Sequence, residues 1–337
     1  MELDKLNKIL KNEPVYRIKQ AYAFIFKDLA DDWEKATNLP LEIRQKLNKE
    51  FPLSIKAKVV ETKTKESQKA LLTLNDDSKI ETVLLRHEDG RNTVCVSSQV
   101  GCPLGCLFCA TGKMGFKRNL TEWEIVNQVL FFARDLKKVG ERVSNLVFMG
   151  MGEPFLNYDN VISAIKILND KDSLNIGARH ISISTIGITE GIKMLAGEPL
   201  QINLAISLHA PNNELRDKLV PMNQSYPIES ILKIVDYYLK KTNRQVMFEY
   251  LMIDDYNDSE KQAEELVELL RFLPSSLFVV NLIAYNPTKG FKPSPALKIK
   301  KFKEVLIRSK IKVTQRYRFG QDIKAACGQL AGEKGEQ

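Results

Sequence analysis

Three of the chain's five cysteines fall in one short stretch, Cys102-Pro-Leu-Gly-Cys106-Leu-Phe-Cys109. Thiolates are soft metal ligands, and three that converge in a CxxxCxxC spacing hold three corners of a 4Fe-4S cube while leaving the fourth iron open to chemistry. Structural zinc takes four ligands, commonly as paired CxxC or with nearby histidines. Here the nearest downstream histidine is His180 and there is no second CxxC. A ferredoxin-type electron carrier uses four cysteines per cluster. The spacing therefore favours an open-iron cluster over both. Gly101 and Gly105 permit the turns that let the thiolates converge, and Leu104 and Phe108 can shield them.

The other two cysteines, Cys95 and Cys327, taken singly read as small buried apolar residues. Met149-Gly-Met-Gly-Glu-Pro154 is weak evidence as a lone GxG, but Glu153 carries a charge suited to an ammonium group. Five unevenly clustered cysteines do not make a disulfide framework and fit a reducing compartment. The formal net charge of +8 suits a polyanionic partner such as RNA, although solvated basic faces give the same excess. No apolar run is long enough to span a bilayer, and Met1-Glu-Leu-Asp-Lys lacks the apolar core of a secretory signal. The expectation is a cytoplasmic protein with no membrane association.

The elements that must position these residues follow from periodicity. Residues 1–53 read as a helical accessory domain, with Tyr16, Ile18, Ala21, Tyr22, Phe24 and Ile25 in helix-like spacing between basic residues, and Pro40 and Pro52 as punctuation. Residues 54–91 change period. Ile55–Val60, Ala70–Leu74 and Ile80–Leu85 predict short antiparallel strands, with a turn at Asn75-Asp-Asp-Ser. Over 92–330 strands alternate with helices. Strands are predicted at Thr93–Ser97, Asn145–Met149, His180–Ser184, Ile202–Leu208, Gln245–Met252, Phe278–Ile283 and Val313–Tyr317. Helices are predicted over 121–138, 158–168, 228–241, 258–272 and 297–309, the first opened by a Thr121/Glu124 capping box. Such alternation implies an α/β fold with a parallel sheet, a partial TIM-type (β/α)6 barrel whose site lies at the C-terminal strand ends. A doubly wound open sheet is the alternative. The Gly-Glu-Lys-Gly-Glu-Gln tail is predicted to fray.

The CxxxCxxC motif resembles the hallmark of the radical S-adenosylmethionine (SAM) superfamily, and Met149–Pro154 stands where that superfamily has its glycine-rich SAM motif. The resemblance implies that the open iron binds SAM and that one electron from the cluster cleaves it to a 5′-deoxyadenosyl radical. Closer still, CVSSQVGC, CATGKMGFKRNLT, FMGMGEPFLN, SISTIGI, ISLHAPN, LIAYNP and DIKAACGQLAGE resemble the RlmN/Cfr family of adenosine methyltransferases. Tyr16-Arg-Ile-Lys-Gln is similar to that family's N-terminal domain, so the likeness covers nearly the whole chain.

That resemblance implies two SAM molecules per turnover. A first methyl passes to Cys327 as a thioether. A radical generated from the second removes hydrogen from that methyl group, and the carbon radical adds to adenine. Cys95 then attacks the Cys327 sulfur, releasing the RNA and leaving a transient disulfide. Glu81, in Ile80-Glu-Thr-Val, is the implied proton acceptor. Gly152, Glu153, Ser184, Ser207, Leu208, His209 and Asn286 are the implied SAM contacts, and Cys102, Cys106 and Cys109 the cluster ligands. The implied substrate is carbon 2 of an adenosine in the peptidyl transferase centre of 23S rRNA and of an anticodon-loop adenosine in some tRNAs. An external electron donor such as a flavodoxin and a monomeric state are also implied. Glu153-Pro154 and His209-Ala-Pro-Asn resemble the RlmN branch. Arg318-Phe-Gly-Gln leans toward the carbon-8 Cfr branch, and Leu251–Asn257 departs slightly from the usual wording. Lys113, Lys117 and Arg118 are candidate phosphate contacts, with the target adenine extruded into the site.

Overall fold

The computed structural model describes residues 2–288, 290–316, 320 and 322–331. Helices α1 (Glu2–Ile9), α2 (Val15–Phe26) and α3 (Leu41–Glu50) form the N-terminal unit. Pro14 and Pro40 stand at the N-caps of α2 and α3, where a missing N–H costs nothing. Phe24 stacks on Trp33 at 5.5 Å, and the buried Trp33 indole donates to the Phe51 carbonyl at 2.8 Å. This unit docks on α4 (Glu122–Lys137), where Phe51 and Phe26 meet Trp123 at 4.8 and 6.5 Å. Helix α4 opens with the expected capping box: Glu124 N–H donates to Thr121 Oγ1 and the Thr121 N–H to the Glu124 carboxylate.

Strands β1 (Lys56–Glu61), β2 (Ser67–Thr73), β3 (Lys79–Arg86) and β4 (Asn92–Cys95) pair antiparallel in sequence. A hairpin of β5 (Gln99–Gly101) and β6 (Phe116–Asn119) brackets the cysteine stretch. The chain then runs through β7 (Asn145–Phe148), α5 (Tyr158–Asn169), β8 (Ile181–Thr185), α6 (Thr189–Leu195) and β9 (Asn203–Ser207). Next come α7 (Asn213–Leu219), α8 (Ile228–Thr242), β10 (Val246–Met252), α9 (Glu260–Leu270), β11 (Phe278–Ala284), α10 (Ala296–Arg308) and β12 (Val313–Gln315). One ten-stranded sheet has the order β1-β2-β3-β4-β7-β8-β9-β10-β11-β12, and every pair from β4 onward is parallel. Strand β11 is buried along its whole length and β10 along nearly all of it, as a parallel sheet covered on both faces requires.

Six crossovers link β4 to β12, which is the predicted (β/α)6 architecture with a closing strand. The sheet curls rather than lying open. Arg316, just past β12, donates to Met149 Sδ, just past β7, at 3.0 Å, and the C-terminal ends of β7 to β11 all face one cavity. The doubly wound alternative is thereby set aside.

Every predicted strand from Thr93 onward is present to within two residues at each end. The last stops at Gln315, and Tyr317 lies outside the described residues. So do Arg318, Phe319 and Gln321 of the Cfr-like phrase and the tail 332–337. The short helices α6 and α7 and the β5–β6 hairpin carry too few residues for a clear period and were not foreseen from sequence. No helix among the described residues is long and apolar enough to cross a membrane.

Candidate active site

The cysteine stretch follows β5 at the C-terminal end of the barrel. Cys102 N–H donates to Gly115 O at 2.9 Å, Cys109 N–H to Cys106 O at 3.1 Å, and Leu107 N–H to Leu219 O at 3.0 Å. Gly101 and Gly105 take the left-handed turns expected of them. Cys102 and Cys106 are buried and Cys109 is partly exposed. Burial pushes the Cys102 thiol up to about 12 and the Cys106 thiol well above its ordinary value, with the neighbouring cysteines adding to both. Cys102 and Cys106, crowded in an apolar recess, resist ionisation by themselves. A bound cation reverses that balance, because a coordinated thiol is deprotonated outright. The donor set and its burial fit an iron–sulfur cluster.

These three cysteines line one cavity together with Gly152, Glu153, Ser184, Ser207 and His209. Gly150 and Gly152 are needed first by the fold. A Cβ on Gly150 would meet Val96 O at 2.6 Å, and one on Gly152, at φ +99°, would meet Gln99 Cβ at 2.5 Å. The 149–152 turn is thus pressed against the 96–99 loop, and this close backbone approach, rather than room for a ligand, accounts for both glycines.

Glu153 is buried. Its N–H donates to Gln99 Oε1 at 2.9 Å, and its carboxylate accepts from Phe155 N–H at 3.1 Å and Ile186 N–H at 2.9 Å. Burial lifts its carboxyl to about 7 against the pull of those N–H donors. A carboxylate so placed gains from a cationic ligand. Ser184 and Ser207 hydroxyls lie 3.2 Å apart across β8 and β9. His209 Nδ1 accepts from Leu251 N–H at 3.2 Å, and its ring meets Phe108 edge-on at 4.9 Å.

Two of the expected SAM contacts lie elsewhere. Leu208 is buried and does not line the cavity; its carbonyl accepts from Arg216 Nε at 3.0 Å. Asn286 lines a small adjoining cavity and donates to the Cys327 carbonyl at 3.3 Å. That second cavity also holds Cys95, and Cys327 lines both. Burial, and next the Cys327 sulfur, push the Cys95 thiol up to about 12, while Arg316 pulls it down.

The loop that carries Cys327 is stitched to the cysteine stretch. Ala110 N–H donates to Gly328 O at 2.8 Å and Thr111 Oγ1 to Leu330 O at 2.5 Å. The same loop reaches Glu81, whose carboxylate accepts from Ala331 N–H at 2.7 Å and pairs with Lys69 Nζ at 2.9 Å. Glu81 lines neither cavity.

Three residues were missed from sequence. Arg216 is fully buried and donates to the carbonyls of Ser207, Leu208 and Tyr226 and to the Asn223 side chain, and its closest carbonyl contact is with Ile186. It ties the ends of β8 and β9 together. Glu249 projects from β10 into the main cavity, with Oε2 accepting from Asn281 Nδ2 at 2.7 Å and Oε1 without a partner. A lone carboxylate in the apolar strand Val246–Met252 was its signal. Arg316 lines both cavities. Of the candidate phosphate contacts, Arg118 is committed. Its guanidinium spans Asp76 at 3.0 Å and Glu124 at 2.8 Å, fastening the 75–78 turn to α4. Lys117 Nζ sits 2.6 Å from Ser78 Oγ.

A family profile described as the Radical SAM superfamily matches residues 96–270. A protein from Dictyoglomus thermophilum named probable dual-specificity RNA methyltransferase RlmN is 47% identical over 98% of this chain and 94% of its own. This chain belongs to the RlmN family of the radical SAM superfamily. A second relative, from Nitrosopumilus maritimus and named ribosomal RNA large subunit methyltransferase N, is 46% identical over 94% of this chain and 92% of its own. The crystal structure of a radical SAM methyltransferase from Sphaerobacter thermophilus matches with a TM-score of 0.94 and 44% identity, over 98% of this chain and 97% of that one. Membership of the RlmN family implies a 4Fe-4S cluster and SAM, and the cavity lined by Cys102, Cys106, Cys109 and Glu153 suits both.

Proposed function

We propose that this chain is an RNA methyltransferase that adds a methyl group to carbon 2 of an adenine, in the peptidyl transferase centre of 23S rRNA and in the anticodon loop of some tRNAs, through an S-methyl group on Cys327. The observation that carries the reading is that Cys327 lines both cavities, facing the cluster ligands in one and Cys95 in the other. The relatives' names, which include dual-specificity RNA methyltransferase, supply the substrate class.

In this reading Cys102, Cys106 and Cys109 hold the cluster, and Gly152, Glu153, Ser184, Ser207 and His209, which line the same cavity, hold SAM. When bound, the cluster and SAM, with an electron from an external donor such as a flavodoxin, supply the radical that takes a hydrogen atom from the S-methyl group of Cys327. Before that step, the Cys327 thiolate takes the methyl group itself; its C–S bond forms as a sulfonium C–S bond breaks, an ordinary nucleophilic displacement. Two SAM molecules are thus used per turnover. After the carbon joins the adenine ring, the adduct must give up its one unpaired electron, for which the oxidised cluster, when bound, would be the acceptor; the ring proton leaves to Glu81, and the Cys95 thiolate attacks the Cys327 sulfur. An S–S bond forms, the bond from that sulfur to the RNA-bound carbon breaks, and the carbon keeps the electron pair and is protonated. Glu81 is held by Lys69 Nζ and by the Ala331 N–H of the loop that carries Cys327. External reduction of the disulfide restores both thiols.

Nucleoside mass spectrometry of RNA treated with the reconstituted enzyme tests the reading. The expected product is 2-methyladenosine; 8-methyladenosine would overturn the position, and unmodified RNA the activity. Cys327→Ala should abolish methylation, and retained turnover would refute the thioether route. Cys95→Ala should leave RNA covalently attached at Cys327.

A further inference from the structure

Methyl transfer to Cys327 needs a thiolate, yet Cys327 shares its cavities with groups that disfavour a second negative charge. Cys95 approaches from β4, Glu249 from β10, and Glu153 and the three cluster ligands from across the main cavity. His209, the remaining titratable group there, is pushed down to about 3 by burial and next by Arg216, and is neutral. Among the described residues Arg316 is the only arginine or lysine lining either cavity, and it lines both.

The Arg316 charge is not cancelled by a carboxylate. Among the described residues no ion pair includes it, and its one side-chain hydrogen bond goes to Met149 Sδ. Glu249 and Arg316 attract each other across the main cavity, but no hydrogen bond or ion pair joins them among the described residues, one Glu249 oxygen has no partner, and burial favours its neutral form. A partly buried guanidinium without a carboxylate is costly unless another anion faces it. The Cys327 sulfur is the largest influence on Arg316 and strengthens its hold on its proton. Its position just past β12 is set by its own N–H, which donates to Leu282 O at 2.9 Å.

We propose that Arg316 is a positioning residue, the fixed countercharge that holds Cys327 as the thiolate which accepts a methyl group. The chemical role rests on the function proposed above; the electrostatic pairing does not. When the methyl arrives, the sulfonium donor becomes a neutral thioether, Cys327 loses its charge, and the proton it gave up has already left to solvent. Arg316 then faces Cys95, whose thiolate it favours for the release step.

Alkylation of Cys327 by iodoacetamide in the cluster-loaded protein tests the pairing, read by mass spectrometry of the Cys327 peptide at pH 7.5 and pH 9.5. An adjacent opposite charge changes a thiol's ionisation by a factor of about ten or more. Nucleophilicity opposes that with a Brønsted slope of about 0.5, so Arg316→Gln should alkylate about threefold or more slowly at pH 7.5. At pH 9.5 the gap should close or reverse, because the thiolate that forms in the variant is the more basic one. Arg316→Lys should keep the wild-type profile. Equal rates at pH 7.5, the same deficit at both pH values, or an Arg316→Lys loss as large as that of Arg316→Gln would overturn the proposal. The cluster absorbance reports folding of each variant. The same peptide mass after incubation with SAM reads S-methylation separately: its absence in the wild type would sink the proposed function and leave the alkylation result standing.

Discussion

His209 has φ of 60°, a left-handed conformation uncommon for a residue other than glycine. Three hydrogen bonds hold it there: its N–H to Glu249 O, its carbonyl from Asn257 Nδ2 at 2.8 Å, and Nδ1 from Leu251 N–H. Because Nδ1 accepts, the neutral ring carries its proton on Nε2, in the cavity wall. Burial, and next Arg216, push the imidazole down to about 3, so its folded-state value lies below the unfolded 6.5. The unfolded chain therefore binds the extra proton first, and the stability His209 contributes is complete above pH 6.5 and is lost as the pH falls toward 3. Wild type should lose about 2 kcal/mol more than His209→Asn between pH 7 and pH 5 in denaturant titrations; Asn tolerates the left-handed backbone. Equal losses would show that the ring is protonated in the folded state. Glu153 works with the opposite sign: lifted to about 7, it favours the folded state most below pH 4.5 and loses that contribution as the pH rises through 7, which is why the comparison is made between variants.

Short loops at the ends of strands, rather than the long helices, set the site. The 149–152 turn lies on the 96–99 loop so closely that Met151 N–H donates to Ser97 Oγ at 2.8 Å and Ser98 N–H to Met151 O at 2.8 Å. Gly152→Ala combines a left-handed φ with a Cβ placed 2.5 Å from Gln99 Cβ, and should cost about 2–4 kcal/mol by chemical denaturation. A loss below about 0.5 kcal/mol would mean the turn relaxes freely. The Arg118 clamp on Asp76 and Glu124 is a second such device, joining the antiparallel strands to α4. The basic cluster at residues 113–118 read as a phosphate surface in sequence, because charge type is visible there and its protein partners, Asp76 and Ser78, are about forty residues away.

Across the whole molecule, the +8 net charge suits the proposed RNA substrate. If three or more phosphates are neutralised, binding should weaken at least about tenfold between 50 and 200 mM salt. Filter binding or fluorescence anisotropy measures this, and a salt-independent affinity would place recognition outside the basic surface. The cluster ligands, the strand–helix alternation from residue 92 and the α4 capping box were legible in the sequence. Each is written in neighbours only a few residues apart, and thiol chemistry or backbone periodicity acts at that range. Tertiary structure alone decided that Cys95, at the end of β4, and Cys327, near the chain's end, share a cavity. It decided as well that Glu81 is tied to the Cys327 loop, that Glu249 faces the main cavity with a bare oxygen, and that Arg316 lines both cavities with no ion pair among the described residues. Those outcomes depend on how the parallel sheet curls, which brings the ends of distant strands together. Burial and charge pairing act through space, and the order of residues does not carry them.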